Sequence, residues 1–519
     1  VILLSPGTRE TIVIIDCGFQ QTQLIARRVR EKGVYSEVVP CGAGHEAIMA
    51  RDPAGLIIIG GPATVLEDDS PKVPVELLDG KVPVLGVCYG MPLIASLLGG
   101  EVEGGEPVGF GRGMILVEGG GGALLQGFPA ETEVWVSRWD RVLSPPPGFT
   151  VTARSESGTI AAFEGPGSRV SAVAFLPEAP QDPGGADILS SFLFNVCRCR
   201  KAWDLGEWVE TTVGEMKSAV GDGRVVCGLS GGVDSTVAAV LASKAVGDRL
   251  ECIFVNSGLL RLDEAEQVLE TYRGSLGLKV HYVDASDDFL SALKGVTDPE
   301  AKRKAVGETF IRVFERKARE IGGASWLLQG TIYPDVIESG PRGKGTPAVK
   351  SHHNVGGLPQ EMDFQLLEPL RDLFKDEVRR IGALLGVPEK ILGRHPFPGP
   401  GLAVRCLGEV TRERLETLRK ADALFIAEIR DEGLYDKMWQ AFCVLLPVRS
   451  VGVTNDTRTY AEVVVLRAVG SPDGMTADWV RLSSDLLDRV SRRICNEVDG
   501  VNRVVFDITG KPPATIEWE

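Results

Sequence analysis

Short apolar runs, each closed by glycine or by a polar turn, recur along this chain and alternate with stretches of helical period. Thr11-Ile12-Val13-Ile14-Ile15-Asp16, Gly55-Leu56-Ile57-Ile58-Ile59 and Val82-Pro83-Val84-Leu85-Gly86-Val87 are continuous in apolar residues. That pattern predicts strands buried on both faces. Gln23 to Glu31 carries the helical period between the first two. Strand-helix alternation of this kind predicts an α/β fold with a largely parallel sheet. The stretch Glu118-Gly119-Gly120-Gly121-Gly122 reads as a flexible surface turn. A first domain is expected over residues 11–200. From Lys201 to Val220 the pattern turns helical, with Trp203 and Trp208 as packing residues. Alternation resumes through Val225-Val226-Cys227-Gly228-Leu229, Phe254, Val280-His281-Tyr282-Val283 and Trp326-Leu327-Leu328, giving a second domain over residues 201–396. The cluster Pro396-Phe397-Pro398-Gly399-Pro400-Gly401 marks the next boundary. Residues 397–519 read as α+β, with strands at Ala461 to Ala468 and Val504 to Ile508. The expected architecture is two doubly wound, mostly parallel α/β domains followed by a smaller α+β domain, without internal repeats.

Composition narrows the function. At 519 residues with 44% hydrophobic content, the chain is long enough for about three cores. A net charge of −15 argues against nucleic-acid and anionic-membrane partners. Ten cysteines lie scattered, and the close pair Cys197 and Cys199 has no second pair to complete a zinc site. Reduced thiols and a cytoplasmic setting are the expectation. No apolar run reaches membrane-spanning length, and Val1 to Glu10 lacks the pattern of a signal peptide.

Two strand-to-helix turns carry the chemistry. Ser230-Gly231-Gly232-Val233-Asp234-Ser235 lies between an apolar strand and the helical run Thr236 to Ala242. This geometry offers backbone N–H groups and a helix N-terminus to an anion. Its glycines admit close approach by a phosphate, and Ser230, Ser235 and Thr236 add hydroxyls. A carboxylate here, Asp234, makes sense with Mg²⁺ between it and the phosphates. No Gly-Lys-Ser/Thr is present, so this is not a Walker A loop. A ligand-free glycine turn is the bland alternative. The second turn, Gly86-Val87-Cys88-Tyr89-Gly90-Met91, has the form of a nucleophile elbow. Such a site lowers a thiol pKa and supplies oxyanion donors, with Gly60-Gly61-Pro62 as a further source. A buried structural cysteine is the alternative.

The first turn resembles the PP-loop of ATP pyrophosphatases, which cleave ATP between its α- and β-phosphates. Residues 11–200 resemble a class I glutamine amidotransferase domain. The chain from Thr11 to Glu519 resembles the glutamine-hydrolysing GMP synthase family, in which a Cys-His-Glu triad releases ammonia for a synthetase domain. The resemblance implies Cys88 and Glu178 as glutaminase residues and Gly61 and Tyr89 as oxyanion donors. It implies an ATP site at Ser230, Gly231, Gly232, Val233, Asp234, Ser235 and Thr236. The segment Lys350-Ser351-His352-His353-Asn354-Val355-Gly356-Gly357 would be a lid, with Lys350 over the phosphates. Gly330-Thr331-Ile332-Tyr333-Pro334-Asp335-Val336-Ile337-Glu338-Ser339 sets Asp335 and Glu338 three apart after a strand, a candidate Mg²⁺ or pyrophosphate shell with Asp335 as the Mg²⁺ ligand; taken alone, it reads equally as a capped loop. XMP contacts would come from Arg261, Lys511, Ile516 and Glu517, and the last domain would make a homodimer.

The match departs where glutamine chemistry needs it. The family's Phe-His-Pro-Glu is Phe175-Leu176-Pro177-Glu178 here, so a leucine stands for the triad histidine. Leucine neither takes nor returns a proton. Pro92 replaces a glutamine, Ser137-Arg138-Trp139-Asp140 replaces Ser-His-Gly-Asp, and Cys17-Gly18-Phe19-Gln20 replaces Phe-Gly-Ser-Gln. Asn455-Asp456-Thr457-Arg458 replaces a Gly-Asp-Gly-Arg turn. The expected activity is amination of XMP to GMP through an adenylated intermediate, using ATP and Mg²⁺, with ammonia rather than glutamine as nitrogen source. The rivals are another PP-loop ligase, NAD synthetase-like or tRNA-modifying, and a non-catalytic nucleotide-binding homologue.

Overall fold

Parallel pairing of the apolar runs organises the N-terminal half. In the computed structural model, which describes residues 10–19, 22–61, 63–105, 110–137, 140–177, 187–339, 364–454, 456–471, 474 and 476–519, the chain divides into two compact units. One unit ends at Asp204 and the other begins at Leu205.

The first unit holds a nine-stranded sheet. Tyr35–Pro40, Thr11–Cys17, Pro53–Gly60, Val84–Cys88 and Val170–Val173 lie side by side in parallel. Ile12 to Ile15 and Leu56 to Ile59 are completely buried, as unbroken apolar runs require. The largely parallel expectation needs correction beyond this half. Ile160–Glu164, Thr150–Ser155, Phe110–Val117 and Glu131–Ser137 extend the sheet in antiparallel fashion. The connections from Thr150–Ser155 to Ile160–Glu164 and on to Val170–Val173 are too short for a helical crossover, so those strands pair as hairpins. The four-glycine stretch is also not a loose turn. Gly119 to Gly122 all have positive φ and wrap the buried Glu164, whose carboxylate accepts N–H bonds from Ala123 (3.1 Å) and Leu124 (2.7 Å). A Cβ on Gly122 would meet that carboxylate at 2.3 Å.

The second unit contains an all-parallel five-stranded sheet in the order Val280–Asp284, Leu250–Asn256, Arg224–Leu229, Ala324–Leu328, Gln365–Leu367. The chain starts in the middle strand, goes one way, then crosses to the other side. The crevice at such a reversal, beyond the strands' C-terminal ends, is where ligands of open α/β sheets bind. The last region is α+β. A long hairpin, Gln440–Thr454 with Thr457–Gly470, is joined by Asp478–Trp479 and by Val501–Phe506, while Arg412–Asp431 and Ser484–Glu497 are its helices. The strand expected at Ala461 to Ala468 lies within Thr457–Gly470, and the one expected at Val504 to Ile508 overlaps Val501–Phe506 but ends two residues earlier; Gln440–Thr454 was not foreseen. Asp456 closes the hairpin at φ +59, a conformation aspartate tolerates. Among the described residues no helix is long and apolar enough to cross a membrane.

Candidate active sites

The loop after Arg224–Leu229 is built by its own hydroxyls. The Ser230 and Ser235 hydroxyls are 3.1 Å apart, Gly232 N–H donates to Ser230 Oγ (3.3 Å), and Ser235 Oγ donates to the Gly232 carbonyl (3.2 Å). Gly231 turns the chain at φ +78, which suits glycine. Helix Val233–Val246 then begins with no side chain capping its N–H groups, so this end is open to an anion. Thr236 differs from the expected phosphate donor. Its side chain is fully buried, bonding the Gly232 carbonyl (2.7 Å) and Tyr272 OH (2.9 Å), so its hydroxyl braces the loop from beneath. Burial pushes the Tyr272 phenol up to about 12, keeping it a neutral partner.

Three distant residues complete the loop, and the sequence reading assigned none of them to it. Arg394 donates to the Gly231 carbonyl (2.8 Å) and to the buried carboxylate of Glu264. Lys375, at the start of helix Lys375–Leu384, pairs with Asp234 Oδ2. Asp234 Oδ1 is buried without a hydrogen-bond partner. Gly330, after strand Ala324–Leu328, presses on this corner: a Cβ there would lie 2.9 Å from the backbone of Asp234 and Ser235. Asp335 Oδ2 accepts the Ile332 N–H at 3.1 Å. Lys350, His352 and His353 lie outside the described residues, as does the Glu338 side chain.

The expected XMP residues surround the start and end of the last region. Arg261 is held by buried Asp422 (3.4 Å) and the Ala441 carbonyl (3.2 Å), with its guanidinium over the Phe397 ring. The Glu517 carboxylate is gripped by buried Arg405 through two bonds (3.0 and 2.8 Å) and by Gln440 (2.8 Å). Such bidentate pairing fixes position, so Glu517 anchors the tail. Ile516 is buried against Phe442, Val444 and Val465. Lys511 Nζ donates to the Gly474 carbonyl at 2.8 Å. Lys302, completely buried, donates to Glu519 (2.5 Å) and to the Cys406 carbonyl (2.9 Å).

In the first unit the elbow forms as read. Cys88 has φ +53, strained for a non-glycine residue, between strand Val84–Cys88 and helix Gly90–Leu97. Its tightness rests on Gly90, where a Cβ would lie 2.2 Å from the Ile58 carbonyl oxygen. A cavity of about 590 Å³ brings together Cys88, Tyr89, Gly61 and Pro92, with Asp140 and Glu156 on its walls. The expected lowering of the thiol is reversed. Cys88 is only 3% exposed, and burial pushes its pKa well up. Asp140 is engaged by the Val65 N–H (2.6 Å). Leu176 donates its N–H to the Trp135 carbonyl (2.9 Å), two residues beyond Ala174, which lines the cavity. No histidine lines the cavity among the described residues. Glu178, Arg138 and Trp139 lie outside the described residues.

Comparisons with known proteins agree with this order of parts. Residues 13–196 match the class-I glutamine amidotransferase family, residues 204–310 match NAD synthase, and residues 427–518 match the GMP synthase C terminal domain. The chain is 53% identical over 511 residues to the glutamine-hydrolysing GMP synthase of Aquifex aeolicus, covering 98% of this chain and 100% of the relative. It is 53% identical to that of Symbiobacterium thermophilum over 98% of this chain and 99% of the relative. For Rhodopseudomonas palustris the identity is 52%, over 98% and 95% of the two chains. With three family segments in order and half the positions identical along its length, the chain belongs to the glutamine-hydrolysing GMP synthase family.

Proposed function

We propose that this chain aminates XMP to GMP at the expense of ATP, and that it draws its nitrogen from ammonium. The O2 oxygen of XMP attacks the α-phosphorus of ATP, the bond to the β-phosphate breaks, and pyrophosphate leaves. Ammonia then forms a bond to C2, the C2–O bond breaks, and AMP leaves while protons pass to solvent. The observation that carries this reading is the corner at the sheet's reversal point. There an uncapped helix N-terminus, Lys375 and Asp234 converge under Gly330. The chain's own contribution is positioning and charge neutralisation around the α-phosphate. Lys375 gains a second acceptor when phosphate arrives, and Lys350 is the proposed lid cation.

Asp234 fits a divalent cation, because one of its oxygens is a buried acceptor without a partner. Mg²⁺ bound there would neutralise phosphate charge. Among the described residues no three candidate ligand side chains gather. The nucleotide's phosphates and water would therefore supply the other ligands, as Mg²⁺ prefers; Asp335 is the proposed second carboxylate. Arg261, Lys511 and the tail fixed by Glu517 are proposed to hold XMP. Exposed Val451, Val453 and Tyr460 on the long hairpin support a homodimer through the last region. All ten cysteines are free thiols, which supports a cytoplasmic setting.

The glutaminase half is proposed to be impaired. Leu176 replaces the triad base, and the burial of Cys88 keeps its thiol protonated. The deciding assay is pyrophosphate release from ATP. Release that depends on both XMP and ammonium, with GMP as product, is expected. Release with nicotinate adenine dinucleotide in place of XMP, or none with XMP, would overturn the reading.

A further inference from the structure

Six of the ten cysteines lie in thiol-to-thiol contact: Cys17 with Cys41, Cys197 with Cys199, and Cys227 with Cys252. The pairs differ in access. Cys227 and Cys252 face each other across parallel strands and are sealed in the core. Cys199 is buried, and Cys197 Sγ is wedged over Gly55, 2.5 Å from where a Cβ would stand. Cys41 is partly exposed, beside a Cys17 that is only 2% exposed.

The backbone sets Cys17 and Cys41 for a bond. Strands Thr11–Cys17 and Tyr35–Pro40 run parallel with Asp16 opposite Pro40. The next row therefore sets Cys17 opposite Cys41, and the Cys41 N–H still donates to the Asp16 carbonyl at 3.0 Å. Neighbouring strands lie about 4.8 Å apart, inside the Cα separation of about 4.4–6.8 Å that a disulfide spans. Residues in one row of a parallel pair point to the same face, and here the two thiols are hydrogen-bonded to each other.

We propose that Cys17 and Cys41 are a redox modification site, a dithiol that closes to a disulfide by exchange with a low-molecular-weight disulfide such as oxidised glutathione. Cys41 attacks one sulfur of the oxidant, forming a mixed disulfide and releasing one glutathione thiolate. Cys17 then attacks the Cys41 sulfur, and the second glutathione thiolate leaves. Two electrons pass to the oxidant, and the two protein protons end on two glutathione thiols. Cys41 is the attacking group because the hydrogen bond from Cys17 draws its thiol down to about 7. The same bond pushes Cys17 well up. The bond would tie together the strand ends beside the cavity. Asp16 holds the next turn through Gly18 N–H (2.9 Å), Phe19 N–H (3.0 Å) and Thr22 Oγ1 (2.9 Å). Gly61 of the cavity packs on that turn, where a Cβ would lie 2.3 Å from the Gly18 oxygen.

The test treats the full-length protein with oxidised glutathione and maps its peptides without reduction. A Cys17–Cys41 disulfide is expected as the first product, forming faster as pH rises through about 7. Cys17→Ser should stop at a glutathione adduct on Cys41, and Cys41→Ser should leave Cys17 unmodified. The inference is overturned by a lasting glutathione adduct on wild-type Cys41, by failure of Cys41 to react, or by prior closure of another pair. The wild-type map alone separates these outcomes if either variant folds poorly.

Discussion

Asp234 carries the largest share of the chemistry assigned to any one side chain, with one oxygen on Lys375 and the other unpartnered. Asp234→Asn keeps the shape and removes the charge. XMP-dependent pyrophosphate release is expected to fall by at least about a hundredfold. Thermal stability should change by no more than about 1 kcal/mol, since the ion pair is partly solvated. Near-wild-type turnover would remove Asp234 from the mechanism. Lys511→Ala is expected to raise KM for XMP about ten- to a hundredfold, the cost of a charged hydrogen bond, and to leave KM for ATP alone. A shift confined to ATP would put the tail in the other substrate's site. The loop Ser230 to Ser235 was legible because its glycines and hydroxyls are contiguous. Lys375 was not: it reaches Asp234 from 141 residues along the chain, and nothing local distinguishes it from a surface lysine. The pairing of Glu517 was hidden for the same reason, since its partner Arg405 is 112 residues away.

At the scale of elements, continuous apolar runs revealed the parallel strands, because burial on both faces leaves that mark on the sequence. The antiparallel strands of the first unit and Gln440–Thr454 leave a weaker one, as their faces meet different surroundings. The cluster Pro396 to Gly401 was legible as a boundary, and the structure adds how the segment just before it is fixed. His395 stacks on Tyr435 with ring centroids 3.7 Å apart. Its Nε2–H donates to the Tyr435 carbonyl (2.8 Å) and its Nδ1 accepts the Ala441 N–H (3.2 Å). Burial lowers its pKa to about 4 from 6.5. The fold thus favours the neutral ring, and the unfolded chain takes up the proton first. This contribution is complete above pH about 6.5 and is lost as pH falls toward about 4, amounting to up to about 3 kcal/mol. Denaturant titrations of wild type and His395→Gln across that range should show a steeper loss in wild type. Equal slopes would contradict a buried neutral histidine.

At the scale of the whole molecule, the family's three segments are kept in order, and one of its two reactions is proposed to lack a central group. The hairpin residues Val453 and Tyr460, 73% and 63% exposed, are proposed to meet a second copy. Sedimentation should give a dimer for wild type and a monomer for Val453→Asp with Tyr460→Asp; a dimer in both would move the interface elsewhere. The glutaminase half keeps its elbow, its cavity and its glycines, so its fold was legible from sequence. The burial that holds Cys88 protonated was not, because an elbow motif does not reveal how much chain closes over it. Loss of a general acid–base group costs about 10²–10⁴-fold, and Pro92, Arg138 and Trp139 are proposed to alter the family's pocket positions as well. Leu176→His alone should therefore recover little. The central claim, an XMP aminase fed by ammonium, is tested most directly by GMP formation at saturating ammonium and at saturating glutamine, in protein freed of contaminating glutaminase. The account predicts steady turnover with ammonium and at most about a hundredth of that rate with glutamine. Comparable rates, with the glutamine rate abolished in Cys88→Ala, would contradict it and show that another group in this cavity serves as the base.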